Sequence, residues 1–177
     1  MAKKSKIGAL FLMAIFLVSG NICAQETAEK AFDEGGKHLA SGKYDEAIID
    51  YTKAIKLNSN YVKAYYDRGN AYNAKGSSDQ AILDYTKAIE LNPNFAEAYH
   101  NRGSSFGARG NPGQAILDYT KAIELNPNYA QAYYNRAGAY YFKQEYAKAW
   151  ENVHKAEELG YKVNPGFIDE LKKYSGK

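Results

Sequence analysis

Ala81-Ile-Leu-Asp-Tyr-Thr-Lys-Ala-Ile-Glu-Leu-Asn-Pro-Asn94 recurs without change from Ala115 to Asn128, 34 residues later. A degraded copy runs from Ala47 to Asn60, 34 residues earlier. Self-similarity at a fixed period of this size marks an array of stacked units, each too small to bury its own apolar face. Two helical patterns fill each period. Ala64, Tyr65, Arg68, Gly69 and Tyr72 recur at helical spacing, Lys75-Gly76-Ser77 breaks the pattern, and Ala81, Ile82, Tyr85, Ala88 and Ile89 resume it. Asn92-Pro93 then stops it, because proline just past a helix end cannot continue the helix. The third turn, Gly110-Asn111-Pro112, supplies an N-capping asparagine and a proline suited to the first helical position.

The units resemble tetratricopeptide repeats. With the repeats taken as 28–61, 62–95, 96–129 and 130–163, the small residues of position 8 are Gly35, Gly69, Gly103 and Ala137. Position 20 is Ala47, Ala81, Ala115 and Ala149, and position 27 is Ala54, Ala88, Ala122 and Ala156. Position 4 is Ala31, Tyr65, Tyr99 and Tyr133; position 24 is Tyr51, Tyr85, Tyr119 and Val153. Small residues let two helices approach closely and aromatics fill the gaps between pairs. The resemblance implies an all-α fold, an α-α superhelix (a right-handed solenoid) of four such units. The ends depart from the pattern, as array ends do. The first repeat carries Ala31 and His38 where later repeats carry aromatics, and the last lacks the tyrosine at 24 and the proline at 32. Residues 164–177 read as a capping helix and tail, with Phe167, Ile168, Leu171 and Tyr174 on one face.

Residues 1–24 read as a signal peptide: Lys3, Lys4 and Lys6 precede an apolar run from Ile7 to Val18, and Ala24 is the small residue at the cut. That run is shorter than the ~20 residues a spanning helix needs. The reading implies export, to the periplasm or out of the cell, with membrane contact only through the uncleaved signal. Cleavage removes Cys23, the single cysteine, and with it any disulfide or thiol chemistry. It also removes three of the 23 basic residues, leaving 20 against 20 acidic ones. A balanced chain with no basic cluster argues against nucleic acid as a partner.

Catalysis finds little support. His38, His100 and His154 fall in different repeats, without metal-ligand spacing on one helix turn, and no phosphate-cradling loop follows a strand. The expectation is a non-enzyme that needs no cofactor, metal or small-molecule substrate. His38, at position 11, is expected in the core and His154 on the surface. At position 7 stand Glu34, Arg68, Arg102 and Arg136; at position 23 stand Asp50, Asp84, Asp118 and Asn152. Arginine and aspartate track each other through the middle repeats, which predicts ion pairs within a repeat or to the preceding one.

By the resemblance, positions 2, 5, 6, 9, 12 and 13 of the first helices line a concave wall that binds a peptide or partner protein. Here they give Lys63, Tyr66, Asp67, Asn70 and Asn73, then Glu97, His100, Asn101 and Ser104 with Arg109 just beyond, then Gln131, Tyr134, Asn135, Tyr141 and Phe142. This is a neutral groove of amides and aromatics. Amides both donate to and accept from an extended backbone. The family members that clamp acidic chaperone C-termini set cations around two asparagines. Asn70 and Asn101 match those asparagines, but Tyr66, Gln131 and Asn135 stand where the cations belong, so the anion clamp is missing. The alternative reading is a self-associating structural protein that forms homo-oligomers.

Overall fold

Two local devices cut the repeats into helices of nearly equal length. The structure, a computed structural model, describes residues 27–176, so the signal-peptide reading lies outside the described residues. The helices are α1 (27–40), α2 (Tyr44–Leu57), α3 (Val62–Ala74), α4 (Ser78–Leu91), α5 (Ala96–Ala108), α6 (Pro112–Leu125), α7 (Ala130–Phe142), α8 (Tyr146–Glu158) and α9 (Pro165–Ser175). No strand occurs among the described residues. Within each pair the reversal is made at position 15 by Gly42, Gly76 and Gly110, with φ of 71°, 77° and 72°. The fourth pair makes the same left-handed turn with Gln144 at φ 61°, a conformation that costs a side-chain-bearing residue about 1–2 kcal/mol. Between pairs, an asparagine in extended conformation ends the helix, and its side-chain carbonyl accepts the amide two residues on: Asn58 from Asn60, Asn92 from Asn94, Asn126 from Asn128, at 3.0–3.2 Å. The asparagine, not the proline, performs the common step, so Ser59 in place of proline leaves the link intact.

The helix pairs stack in sequence, each second helix also packing on the first helix of the next pair. This is an all-α helical repeat solenoid. Alanines 47, 54, 81, 88, 115, 122, 149 and 156 have no exposed surface, which lets the backbones come close. The tightest approach is between position 8 and position 24. A Cβ placed on Gly35 would lie 2.7 Å from the Tyr51 ring, one on Gly69 2.7 Å from the Tyr85 ring, and one on Gly103 3.0 Å from the Tyr119 ring. In the fourth repeat both partners change: Ala137 brings a methyl group, and Val153 withdraws the ring. The volume released is taken by α9, whose fully buried Leu171 joins Ala137, Ala149 and Val153, with Phe167 and Ile168 packed alongside. The capping helix therefore belongs to the core of the last repeat.

The predicted ion pairs are present. Arg68 donates from Nε and Nη2 to both oxygens of Asp84, at 2.8 and 2.7 Å, and Arg102 does the same to Asp118 at the same distances. The Nη1 of each reaches the preceding repeat, Arg68 to Thr52 and Arg102 to Thr86. The ion pair is thus the within-repeat alternative, and the link to the preceding repeat is a neutral hydrogen bond to threonine. Each guanidinium also lies over the tyrosine three residues earlier, at 5.7 Å for Tyr65 and 5.6 Å for Tyr99. Leaving such a buried aspartate alone costs about 3–5 kcal/mol, although the pair itself contributes modestly. In the first repeat, where Glu34 replaces arginine, His38 serves Asp50 instead, with Nδ1 2.7 Å from Oδ2. This corrects the expectation that His38 is a core residue: its side chain is 35% exposed because it turns outward to meet that carboxylate. His154 is exposed, as expected.

The glycines of positions 8 and 9 should respond oppositely to a methyl group. Gly69→Ala overpacks against Tyr85 and should cost about 1–3 kcal/mol, outweighing the ~1 kcal/mol that alanine gains in a helix. Gly138 has no atom within 4 Å of where its Cβ would be, so Gly138→Ala should stabilise by about 0.4–1 kcal/mol. Thermal unfolding of the two variants checks both signs; stabilisation by both would mean that the tyrosine rings do not set the spacing.

Candidate functional site

The first helices α3, α5 and α7 lie side by side and form one wall. Its two halves differ. In the half nearer the N-terminus the side chains are tied to one another. Asn70 donates to Asp67 at 3.1 Å and accepts from the hydroxyl of Tyr85 at 2.8 Å. Asn101 uses both amide hydrogens, one to Asn70 at 2.9 Å and one to the hydroxyl of Tyr66 at 3.0 Å. Its carbonyl oxygen lies 3.0 Å from Nδ1 of His100, whose Nε2 lies 2.9 Å from the amide nitrogen of Asn135. An acceptor on one side and a donor on the other fix the neutral tautomer with the proton on Nδ1. A continuous chain of side-chain hydrogen bonds thereby runs through three repeats.

His100 is only 4% exposed, packed at a tilt between Tyr119 at 5.6 Å and Tyr129 at 4.8 Å. Of the residues read as wall contacts, it is the one the structure places beneath the wall. Its pKa is lowered, chiefly by burial. Burial also raises the carboxyl of Asp67 above its ordinary value and pushes the hydroxyl of Tyr129 up to about 12. The hydroxyl of Tyr66 is raised for the same reason. The network is therefore built from neutral donors at physiological pH. Lys63, Glu97 and Gln131 are exposed at its edge, and Asn73, also exposed, accepts from Ser105 at 3.4 Å.

The half nearer the C-terminus is open. A groove of about 700 Å³ is lined by Ser104, Tyr134, Asn135, Tyr141 and Phe142 from the predicted wall, and also by Gly107, Gly138, Phe167 and Glu170. Its floor is bare because glycine stands at Gly107 and Gly138, with nothing within 4 Å of either missing Cβ. Its sides are aromatic: Phe167 meets Tyr134 edge-on at 5.8 Å and Tyr141 at 5.6 Å, and Phe142 projects with 77% of its surface exposed. Ser104 is held by the hydroxyl of Tyr119 at 3.2 Å. The contributions of Phe167 and Glu170 were not read from the sequence, where α9 figured only as an end cap; the paired glycines were the available signal. Among the described residues no cluster of His, Cys, Asp or Glu could hold a metal, and no helix is long and apolar enough to cross a membrane.

Stacked helix pairs with a wall of first helices define a helical-repeat scaffold for protein interaction. Sequence models of the tetratricopeptide repeat match residues 35–76, 69–110, 96–129 and 118–151, and the chain belongs to the tetratricopeptide-repeat family, whose members are in general non-catalytic scaffolds. Among curated proteins none matches. Among solved structures, the protein MamA is 31% identical, with 85% of this chain and 84% of that one covered at a TM-score of 0.77. The first repeat domain of Spaghetti (RPAP3), solved with the HSP90 peptide SRMEEVD bound, is 30% identical over 65% of this chain and 91% of that one, with a TM-score of 0.64. The repeat domain of Arabidopsis OM64 is 26% identical over 66% and 96%, also at 0.64.

The buried imidazole predicts a pH effect. A base whose pKa is lowered on folding contributes stability above its unfolded value, about 6.5, and loses it as the pH falls through the folded value. Protonation would also turn Nε2 into a donor facing the Asn135 amide. Urea unfolding between pH 7 and pH 5 should show stability declining, and His100→Gln should flatten that decline. A slope unaltered by the substitution would assign the effect to other groups.

Proposed function

We propose that this chain is a non-catalytic adaptor of the cell envelope that grips an extended peptide of a partner protein in the C-terminal half of its groove. The observation that carries the reading is the contrast between the two halves of the wall. Where side chains satisfy one another they present little to a ligand, and a peptide would have to break their bonds. Where Gly107 and Gly138 leave the floor bare, a backbone can approach α5 and α7 closely, with aromatic rings on either side. Tyr134, Tyr141 and Phe167 are the ring types that dominate binding energy when enclosed, and Ser104 and Asn135 supply hydrogen bonds to a main chain. The bound peptide of the related Spaghetti domain supports the mode. The chemistry here differs from an acidic-peptide clamp, because Asn70 and Asn101 are held by tyrosine hydroxyls, and Tyr66, Gln131 and Asn135 stand where the clamp's cations belong. The composition of residues 1–24 supports the envelope assignment.

A second reading, self-association, is favoured by one feature. Ile49, Leu83 and Leu117 occupy the same position of successive second helices and are 67%, 69% and 62% exposed, a row of aliphatic side chains at the repeat spacing.

The two readings separate in one experiment. The full chain, tagged at its C-terminus, is used to capture partners from envelope extract, in parallel with Gly138→Arg, which fills the groove floor, and Leu83→Ser, which breaks the aliphatic row. The groove reading predicts a partner retained by the unaltered chain and by Leu83→Ser and lost from Gly138→Arg, with no binding of SRMEEVD to any of them. Loss from Leu83→Ser alone, with the chain itself as the captured species, would transfer the function to self-association.

A further inference from the structure

The repeats are internal controls for one another, and at one point the fourth breaks the pattern. Arg136 is held as Arg68 and Arg102 are. Its guanidinium lies 5.5 Å over the Tyr133 ring, Nη1 donates to Thr120 at 2.9 Å, and Nε donates to the residue 16 positions on at 2.8 Å. That residue is Asn152, an amide in place of the aspartate of the second and third repeats. The amide has one oxygen to offer and no charge, and its nitrogen is committed to the carbonyl of Lys148 at 2.8 Å. Nη2 of Arg136 therefore has no acceptor among the described residues, and its positive charge has no ion pair there.

No buried side-chain polar atom among the described residues lacks a partner. The unmatched edge of Arg136 is accordingly open, and it opens into a cavity of about 450 Å³ between α7 and α8. No residue lines both this cavity and the groove. Of the other charged lining groups, Lys155 and Glu158 neutralise each other at 2.8 Å, leaving Glu151 as the uncommitted anion of the lining.

We propose that this cavity is a carboxylate-binding site, in which Arg136 takes from outside the carboxylate that Asp84 and Asp118 supply from within. A guanidinium fixed by a ring face, a threonine and an amide loses little freedom on binding, and its remaining edge matches a carboxylate in bidentate geometry. Glu151 in the lining, uncommitted to any cation, selects a singly charged ligand over sulfate, phosphate or a run of acidic residues. The ligand is either a small free carboxylate or a single acidic side chain of a partner protein.

The test follows the Arg136 side-chain Nε–H resonance of the full chain by NMR while acetate replaces chloride at constant ionic strength. The unaltered chain should give a saturable shift, and sulfate should give none. Asn152→Asp rebuilds the pairing of the neighbouring repeats, so it keeps the fold and should weaken acetate at least about tenfold. A second arm uses a blocked tripeptide with one central glutamate. Half-saturation about tenfold below that of acetate assigns the site to a protein side chain, and equal values assign it to a free carboxylate. A shift that does not saturate, sulfate binding as strong as acetate, or an undiminished response in Asn152→Asp would each overturn the proposal.

Discussion

The distance between a glycine and a tyrosine ring 16 residues later governs this molecule. Position 8 can carry no side chain while position 24 carries an aromatic ring, and that contact brings the two helices of a pair close enough for the buried alanines to meet. The arginines then act across the same interface. Each binds the aspartate of its own repeat and the threonine of the repeat before, linking neighbours that the alanines bring close. Packing sets the distance and the guanidinium fixes the register. Stability in such an array is a sum of units and nearest-neighbour contacts, so repeats with two neighbours gain most from both devices.

The groove follows from the place where that rule is relaxed. Val153 lacks the ring, Ala137 uses part of the released space, and α9 fills the remainder with Leu171 and Phe167. In the second and third repeats the residue at position 5 packs against rings of its own unit, Tyr66 on Tyr85 and Phe95, His100 on Tyr119 and Tyr129. Tyr134, lacking such a ring at position 24, stacks on Tyr161 and meets Phe167 from α9. One substitution in the repeat pattern thus recruits the terminal helix and gives the open half of the wall an aromatic side. The same repeat exchanges aspartate for Asn152 and leaves Arg136 unmatched. Both departures fall in the last repeat, which packs on α9 rather than on a further repeat.

Much of the fold was legible, because a 34-residue repetition states the same constraint several times. The helix pairs and the Arg68–Asp84 and Arg102–Asp118 pairs follow from residues that recur in register, and the packed face of α9 follows from Phe167, Ile168 and Leu171 at helical spacing, with Tyr174 half exposed. Most of what stays hidden depends on side chains acting in a single place. His38 was assigned to the core by position, but the missing arginine at Glu34 draws it to Asp50 instead. The link between repeats was credited to proline, although the asparagine before it carries the hydrogen bond in all three copies. His100 was counted among wall contacts, since a position number says nothing of the two rings that enclose it. The division of the wall into a self-satisfied half and an open half required the coordinates of Asn70, Asn101 and Asn135 together.

The central claim is that the missing ring at position 24 is what docks α9 and completes the groove. The most direct test restores the ring with the space it needs, in the double variant Ala137→Gly, Val153→Tyr, and measures amide hydrogen exchange across residues 165–175. The account predicts that a tyrosine at 153 expels Leu171 and Phe167, so that protection of α9 collapses while α3 to α6 keep theirs. Undiminished protection of α9 would show that the capping helix is held by other contacts and that the glycine–tyrosine rule does not shape the site.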